Sequence, residues 1–306
     1  MGLVTRALKL LERKAQNKEV QKVIPVVDLK GVIKSGGGGG LMGGGGKSIN
    51  IDAMRDTLKK AFNTAGAVAV ALDINSPGGS PAQSELVANL IRKLAEEKHI
   101  PVYAFAQDVA ASGGYWLACA ADEIYSAKTS TLGSIGVVTE GYGYEKLFKK
   151  LGLEIRQFTA GKSKRRMNPA EPVKPEDKEW IQERLGKIHR LFKDWILERR
   201  GDRFVIPAGQ DKENYLDENI FTGDTWNGVE SVGLGLIDGI GDIETVLKEK
   251  FGEAVKIRYP ETRSPKLLSL LSPFRSAVSG NAQADMVEAA VEAIADEITW
   301  SPYRMR

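Results

Sequence analysis

The sequence is poor in cysteine and histidine. Cys119 is the only cysteine among 306 residues, so an internal disulfide and a cysteine-based zinc site are both excluded. His99 and His189 are the only histidines, too few for a His-rich metal centre. No run of about 18 or more apolar residues occurs, so no transmembrane helix is expected. The opening MGLVTRALKLLERKAQNK lacks the apolar core and small-residue cleavage site of a secretory signal. Arg6 stands where a myristoylation signal needs Ser or Thr. An excess of one charge is also missing: 43 Lys+Arg face 40 Asp+Glu, a net +3 that selects neither nucleic acid nor membrane. Apolar residues at 42% and charged residues at 27% rule out wholesale disorder.

The length favours about two domains. Leu3, Val4, Ala7, Leu8, Leu10 and Leu11 fall at helical spacing among Arg6, Lys9, Arg13 and Lys14. Residues 1–22 therefore read as an amphipathic helix. Packing on its own domain or on a partner is favoured, with peripheral contact to an anionic membrane through residues 1–20 as the alternative. Nine glycines lie between Ser35 and Ser48. A tract ending Gly46-Lys47-Ser48 after a strand raises the question of a phosphate cradle. So many glycines leave a loop unshaped, and a flexible surface loop is expected instead.

From residue 23 onward, strand and helix patterns alternate. Strands are expected at 23–34, 67–73, 100–105, 123–126, 154–158 and 255–259, with a short extended segment at 132–138. Helices are expected at 52–62, 80–97, 112–120, 144–151 and 175–200. This alternation predicts an α/β fold with helices flanking a largely parallel sheet. Residues 23–260 form the expected core domain. The tail 261–306, with LLSLLSPF and a helical pattern over 284–298, reads as an appendage.

Ligands of open α/β sheets bind at the carboxyl ends of strands. Three segments fall at such places: Asn75-Ser76-Pro77-Gly78-Gly79, Ala110-Ala111-Ser112-Gly113-Gly114, and the basic run from Gly161 to Pro169. Ser112 sits where a strand turns into a helix, so it is either an N-cap or an exposed nucleophile. A serine nucleophile needs a base. His99 precedes a strand at the wrong end, and His189 sits on the long helix as a structural side chain, which disfavours a Ser-His-Asp triad. Lysine is the remaining base, as in Ser-Lys variants. It must lose its proton near neutral pH, and burial with like-charged neighbours such as Lys162, Arg165 and Arg166 favours that. The same run read as a solvated turn or phosphate patch is the plain alternative. It has no interleaved aromatics, so nucleic acid is not expected as a partner.

The ordered motifs LDINSPGG (72–79), AASGGYWLACAADEIYS (110–126), LGSIGV (132–137), GKSKRRMNP (161–169) and FTG…GLGLIDGIGD (221–242) resemble those of the signal peptide peptidase A family of serine peptidases, family S49. The resemblance runs over about residues 23–260. It implies a ClpP/crotonase-like fold of repeated ββα/βα units with a helical C-terminal extension. It implies a Ser-Lys dyad, with Ser112 as nucleophile and Lys164 as base, placed three residues before Met167 in K-x-x-M-x-P; Lys162 is the near competitor. It implies that Ser134 orients the lysine and that the Gly79 and Gly113 N–H groups form the oxyanion hole. No cofactor or metal is implied. The implied substrates are unfolded or membrane-derived peptides, such as signal peptide remnants. A single fold copy is similar to the short, self-assembling class, so a ring-like homo-oligomer with interface active sites is expected. Many relatives carry a membrane anchor; here the expected location is membrane-associated or cytoplasmic.

Two rivals follow from the same residues. One is a crotonase-like acyl-CoA enzyme, which the SGG serine and matched lysine oppose. The other is a non-catalytic scaffold of the same fold, which the intact Ser112–Lys164–Ser134 set opposes. Cys119 reads as a small buried hydrophobe, Tyr115 and Trp116 as packing residues, and Asp73 and Asp238 as capping or turn residues.

Overall fold

The computed structural model describes residues 21–35 and 48–260. Residues 1–20 of the helix expected over 1–22, the glycine tract 36–46 and the tail 261–306 lie outside the described residues. The chain divides into two compact units. One takes in the residues up to Ile135 together with Trp195–Pro260, and the other takes in Gly136–Asp194.

The first unit is built on an eight-stranded sheet, in the order Thr225–Asn227, Thr131–Gly133, Val102–Ala111, Val70–Ser76, Val23–Lys30 and Lys256–Arg258, with Glu123–Ser126 also pairing with Val102–Ala111 and Gly239–Ile240 pairing with Glu123–Ser126. Its elements in chain order begin with β1 (Val23–Lys30), α1 (Ile51–Phe62), β2 (Val70–Ser76), α2 (Pro81–Lys98) and β3 (Val102–Ala111). The short helix α3 (Gly113–Ala118) leads to β4 (Glu123–Ser126) and β5 (Thr131–Gly133). All strand pairs are parallel except β5 with β6, which is antiparallel.

Parallel strands covered on both faces read as near-continuous apolar runs. That is the pattern of β1, six of whose eight residues are buried. One face carries Ile24, Val26, Ala71, Tyr103 and Phe105. In chain order after β5, the unit adds β6 (Thr225–Asn227), β7 (Gly239–Ile240), and the edge strand β8 (Lys256–Arg258). Helix Ile243–Phe251 lies between β7 and β8, and its Ile243, Val246 and Leu247 pack on that apolar face. Helices α1 and α2 pack on each other, and α2 packs on α3.

Local chemistry sets the helix ends. Asn50 caps α1 by accepting the Ala53 N–H at 2.9 Å, and Ser80 caps α2 with Pro81 in the first turn. His99 ends α2 as an exposed left-handed C-cap (φ 53), ahead of β3 and away from its carboxyl end, as expected.

Strand β3 runs six residues beyond its expected end at Phe105. Gln107 and Asp108 interrupt its apolar run, yet the backbone stays extended. Its first half pairs with β4 and its last three residues with β5. Side chains hold the middle: Asn75 donates to Asp108 at 2.7 Å, and Ser130 Oγ donates to the carbonyls of Ala106 and Gln107.

The second unit contains α4 (Glu145–Leu151) and α5 (Pro175–Arg200), whose last six residues belong to the first unit. Here one expectation fails. Residues 154–158 form no strand, and all of 151–165 is exposed. Ile155 and Phe158 supply strand-like apolar character, but no described segment offers them a ladder, and an isolated strand leaves its backbone groups to water. The first unit also holds α6 (Lys212–Asn219) and α7 (Gly228–Leu234), so the helix Ile243–Phe251 is α8.

Candidate active site

Only Ser112 separates the end of β3 from the start of α3, so the chain must change direction within one residue. Ser112 does so at φ 53 and ψ −122. For a residue with a Cβ this conformation costs about 1–3 kcal/mol, and such strain gathers at sites where a side chain must be presented. The hydroxyl makes no capping bond, which removes the N-cap reading. The Ser112 N–H donates to the Gly133 carbonyl at 2.8 Å, and its carbonyl accepts from Trp116. Ser112 is partly exposed, while Ala111 and Gly113 on either side are buried.

The neighbouring glycines are there because nothing larger fits. A Cβ on Gly78 would lie 2.7 Å from Ser112 Cβ and 2.8 Å from the Gly113 nitrogen. A Cβ on Gly79 (φ 142) would sit 2.0 Å from the Ile33 carbonyl oxygen. The Ile33 N–H donates to Gly78 and the Ile33 carbonyl accepts from Ser80. In this parallel bridge the Gly79 N–H is turned away from Ile33. The Gly113 N–H lies in the first turn of α3, where no intrahelical acceptor exists. Neither N–H meets an acceptor among the described residues. Two unspent donors thus flank the Ser112 turn.

Ser134 arrives through β5. The β3–β5 register pairs Ala111 with Gly133, so Ser112 and Ser134 are the next residues on adjacent parallel strands, whose spacing is about 4.8 Å. Both have positive φ (53 and 51). The Ser134 N–H donates to the Asp224 carbonyl at 2.7 Å. Gly133 is fixed by Trp226, whose ring carbons lie 2.6 Å from where its Cβ would be. Ser112, Ser134, Gly79 and Gly113 are therefore gathered at the carboxyl end of one sheet in the first unit.

Lys164 belongs to the second unit. It lies exposed in a turn closed by its own N–H donating to Gly161 at 3.2 Å. Neither Lys164 nor Lys162 makes an ion pair among the described residues. The turn is held at its far end. Arg166 pairs with Asp177 at 3.7 Å and stacks 5.2 Å from the Trp180 ring centroid. Met167, at φ 54, donates its N–H to Asp177. Asn168 is buried and donates to Glu171 at 2.8 Å and Gln157 at 3.3 Å.

The remaining sequence candidates have structural roles. Asp238 is neither cap nor simple turn: it accepts from Ile124 and pairs with the buried Arg200 at 2.9 Å. Asp73 is buried within β2 and pairs with Lys30 at 2.7 Å. Trp116 stacks on Trp195, which donates to the Trp116 carbonyl. Burial pushes the Cys119 thiol up to about 12.

The family profile of peptidase family S49 matches residues 94–256, just over half of the chain. The chain belongs to peptidase family S49. The match includes Ser112, Ser134 and Lys164. A Brucella abortus protein named Na(+)/H(+) antiporter NhaA is 41% identical over 239 residues, covering 78% of this chain and 30% of that protein. The chloroplastic serine protease SPPA of Arabidopsis thaliana is 29% identical over 265 residues, 83% of this chain and 36% of that protein. The chain thus spans about a third of the length of these relatives. Among solved structures, a mutant of the membrane-bound stomatin-specific protease 1510-N in complex with a substrate peptide is 15% identical. It covers 79% of this chain and 94% of that one, with a TM-score of 0.46.

Among the described residues, no group of His, Cys, Asp and Glu is placed to hold a metal ion. No described helix is long and apolar enough to cross a membrane.

Proposed function

We propose that the chain is a serine endopeptidase with a Ser112–Lys164 dyad, its peptidase domain spanning residues 23–260. The observation that carries this reading is the Ser112 turn: a strained serine, free of capping duty, beside two unspent backbone donors. In the proposed mechanism, neutral Lys164 takes the Ser112 hydroxyl proton as Oγ attacks a peptide carbonyl. The Gly79 and Gly113 N–H groups bind the oxyanion, each worth about 3 kcal/mol if preorganised. Lys164 then protonates the leaving amine and activates the water that hydrolyses the acyl-enzyme. Ser134 orients the lysine. The substrates are unfolded or membrane-derived peptides, with signal peptide remnants as the family reading.

The active unit is a ring-like homo-oligomer in which one subunit supplies Ser112 and its neighbour supplies Lys164. Two features of the second unit favour this. Lys164 is exposed and makes no ion pair among the described residues. Large apolar side chains stand in solvent there, with Phe158 95% exposed and Tyr142 74% exposed. A second copy would bury both, and a head-to-tail contact that closes gives a ring.

The test is hydrolysis of an unfolded, apolar-rich peptide by wild type, Ser112→Ala, Lys164→Ala and an equal mixture of the two variants, between about pH 6 and 10. Each variant alone is expected to be inactive, and the wild-type rate to rise with pH as the base loses its proton. Reassembled mixtures should recover about a quarter of wild-type sites, since a random ring pairs the intact serine and intact lysine at that frequency. Activity surviving in Lys164→Ala would move the base to Lys162. An inactive, folded wild type would favour the scaffold reading.

A further inference from the structure

The motif that opens with Phe221-Thr222-Gly223 supplies no group to the dyad, yet its chain runs against the residues that shape the site. Gly133 and Ser134 are consecutive left-handed residues, at φ 97 and 51. Ser134 carries a Cβ, so its conformation is costly and needs support from outside. The peptide group between the two residues receives that support at both ends. Its carbonyl accepts the Ser112 N–H at 2.8 Å, and its N–H donates to the Asp224 carbonyl at 2.7 Å. One peptide plane therefore sets the Ser112 turn and the Ser134 turn together.

The other side of this contact is built at β6. Its antiparallel register sets Trp226 opposite Leu132 and Thr225 opposite Gly133. Diagonal neighbours on paired strands lie within reach of an aromatic side chain. The half-buried Trp226 ring covers the Gly133 α-carbon, where a Cβ would meet two ring carbons at 2.6 Å and the Asp224 carbonyl oxygen at 3.0 Å. The Asp224 carbonyl is itself fixed by a local turn. Thr222 Oγ1 donates to Asp224 Oδ2 at 2.8 Å and accepts the Asp224 N–H at 3.3 Å, around Gly223 at φ 91. Phe221, just ahead, is buried edge-on to Phe204 at 6.1 Å, and its N–H donates to the Leu216 carbonyl at 2.8 Å. The segment is thus anchored in the core at one end and presses on Gly133 at the other.

We propose that Trp226 and Thr222 are positioning residues: they hold the Gly133–Ser134 peptide and, through it, the Ser112 turn and the Ser134 side chain. The inference rests on the reading of Ser112 as nucleophile and Ser134 as the group that orients its base. A displaced nucleophile loses rate rather than substrate affinity, and a shift of about 1 Å costs up to about a hundredfold. The test measures kcat and KM on an unfolded peptide, together with the rate at which a fluorophosphonate labels Ser112. Trp226→Ala should lower kcat and the labelling rate at least about tenfold, with KM within about twofold of wild type. Trp226→Phe, which returns a ring to Gly133, should regain part of the loss. Thr222→Val should lower both rates severalfold, and Thr222→Ser should restore them. Val229→Ala, exposed on α7 just beyond β6, should match wild type. Resistance of the buried Cys119 to iodoacetamide reports that each variant is folded. Thr222 is exposed, so its variants decide the matter if Trp226→Ala does not fold. A wild type that does not label at Ser112 would overturn the dyad, and this inference with it. A wild type that labels beside a folded Trp226→Ala, or a Thr222→Val, with both rates unchanged or with the loss confined to KM, would overturn the positioning role alone.

Discussion

At the residue scale, the chemistry of this chain depends on which groups are left unspent. Ser112 could have capped α3, but its backbone places the hydroxyl elsewhere, and the amides of Gly79 and Gly113 have no acceptor among the described residues. Cys119 shows the opposite condition. It is fully buried, and desolvation pushes its thiol up to about 12. Because the thiolate is the reactive form, raising this pKa keeps the group protonated throughout the neutral range. Native protein at pH 8 should therefore resist iodoacetamide, with mass spectrometry showing no adduct at Cys119 until denaturant is added. Rapid alkylation of the folded protein would contradict its place in the core. The sequence made this residue legible, because LACAA is apolar on both sides. It did not show the Lys30–Asp73 pair, which forms only when β1 and β2 align Asp28 with Asp73.

At the element scale, what mattered was which strands found partners. The long helix α5 was readable to the residue, since Pro175 opens it and Gly201 follows it. The extension of β3 through Gln107 and Asp108 was not readable, because it depends on β5 and on side chains from Asn75 and Ser130. The strand expected over 154–158 had the right residues and no neighbour to pair with among the described residues. The consequence falls on the lysine turn, which is anchored by the first turn of α5 rather than by a strand end. Asp177 accepts from Met167 and pairs with Arg166, and it is itself buried. Hydrogen bonds to a charged group of this kind are worth about 1.5–3 kcal/mol. Asp177→Ala should lower kcat by roughly tenfold or more with KM little changed, and Asp177→Glu should restore part of it. A wild-type kcat in Asp177→Ala would show that the anchor does not govern the lysine.

At the scale of the whole molecule, the sequence carried the α/β class and the family through motifs dispersed over its length, and the site follows from how the strands gather them. Ser112 and Ser134 are 22 positions apart in sequence, yet the Ala111–Gly133 register makes them neighbours. Gly79 joins them because Ile33 turns its N–H outward. The proposed assembly is the part that periodicity does not encode, since it rests on the side chains a single chain leaves exposed, Phe158 above all. The claim on which the rest depends is that Ser112 is the nucleophile. The most direct measurement is covalent labelling with a fluorophosphonate, followed by peptide mapping of the modified chain. The account predicts a single adduct, on Ser112, that is lost in Ser112→Ala and slowed in Lys164→Ala. An adduct on Ser134 instead, or equal labelling of the Ser112→Ala variant, would contradict it.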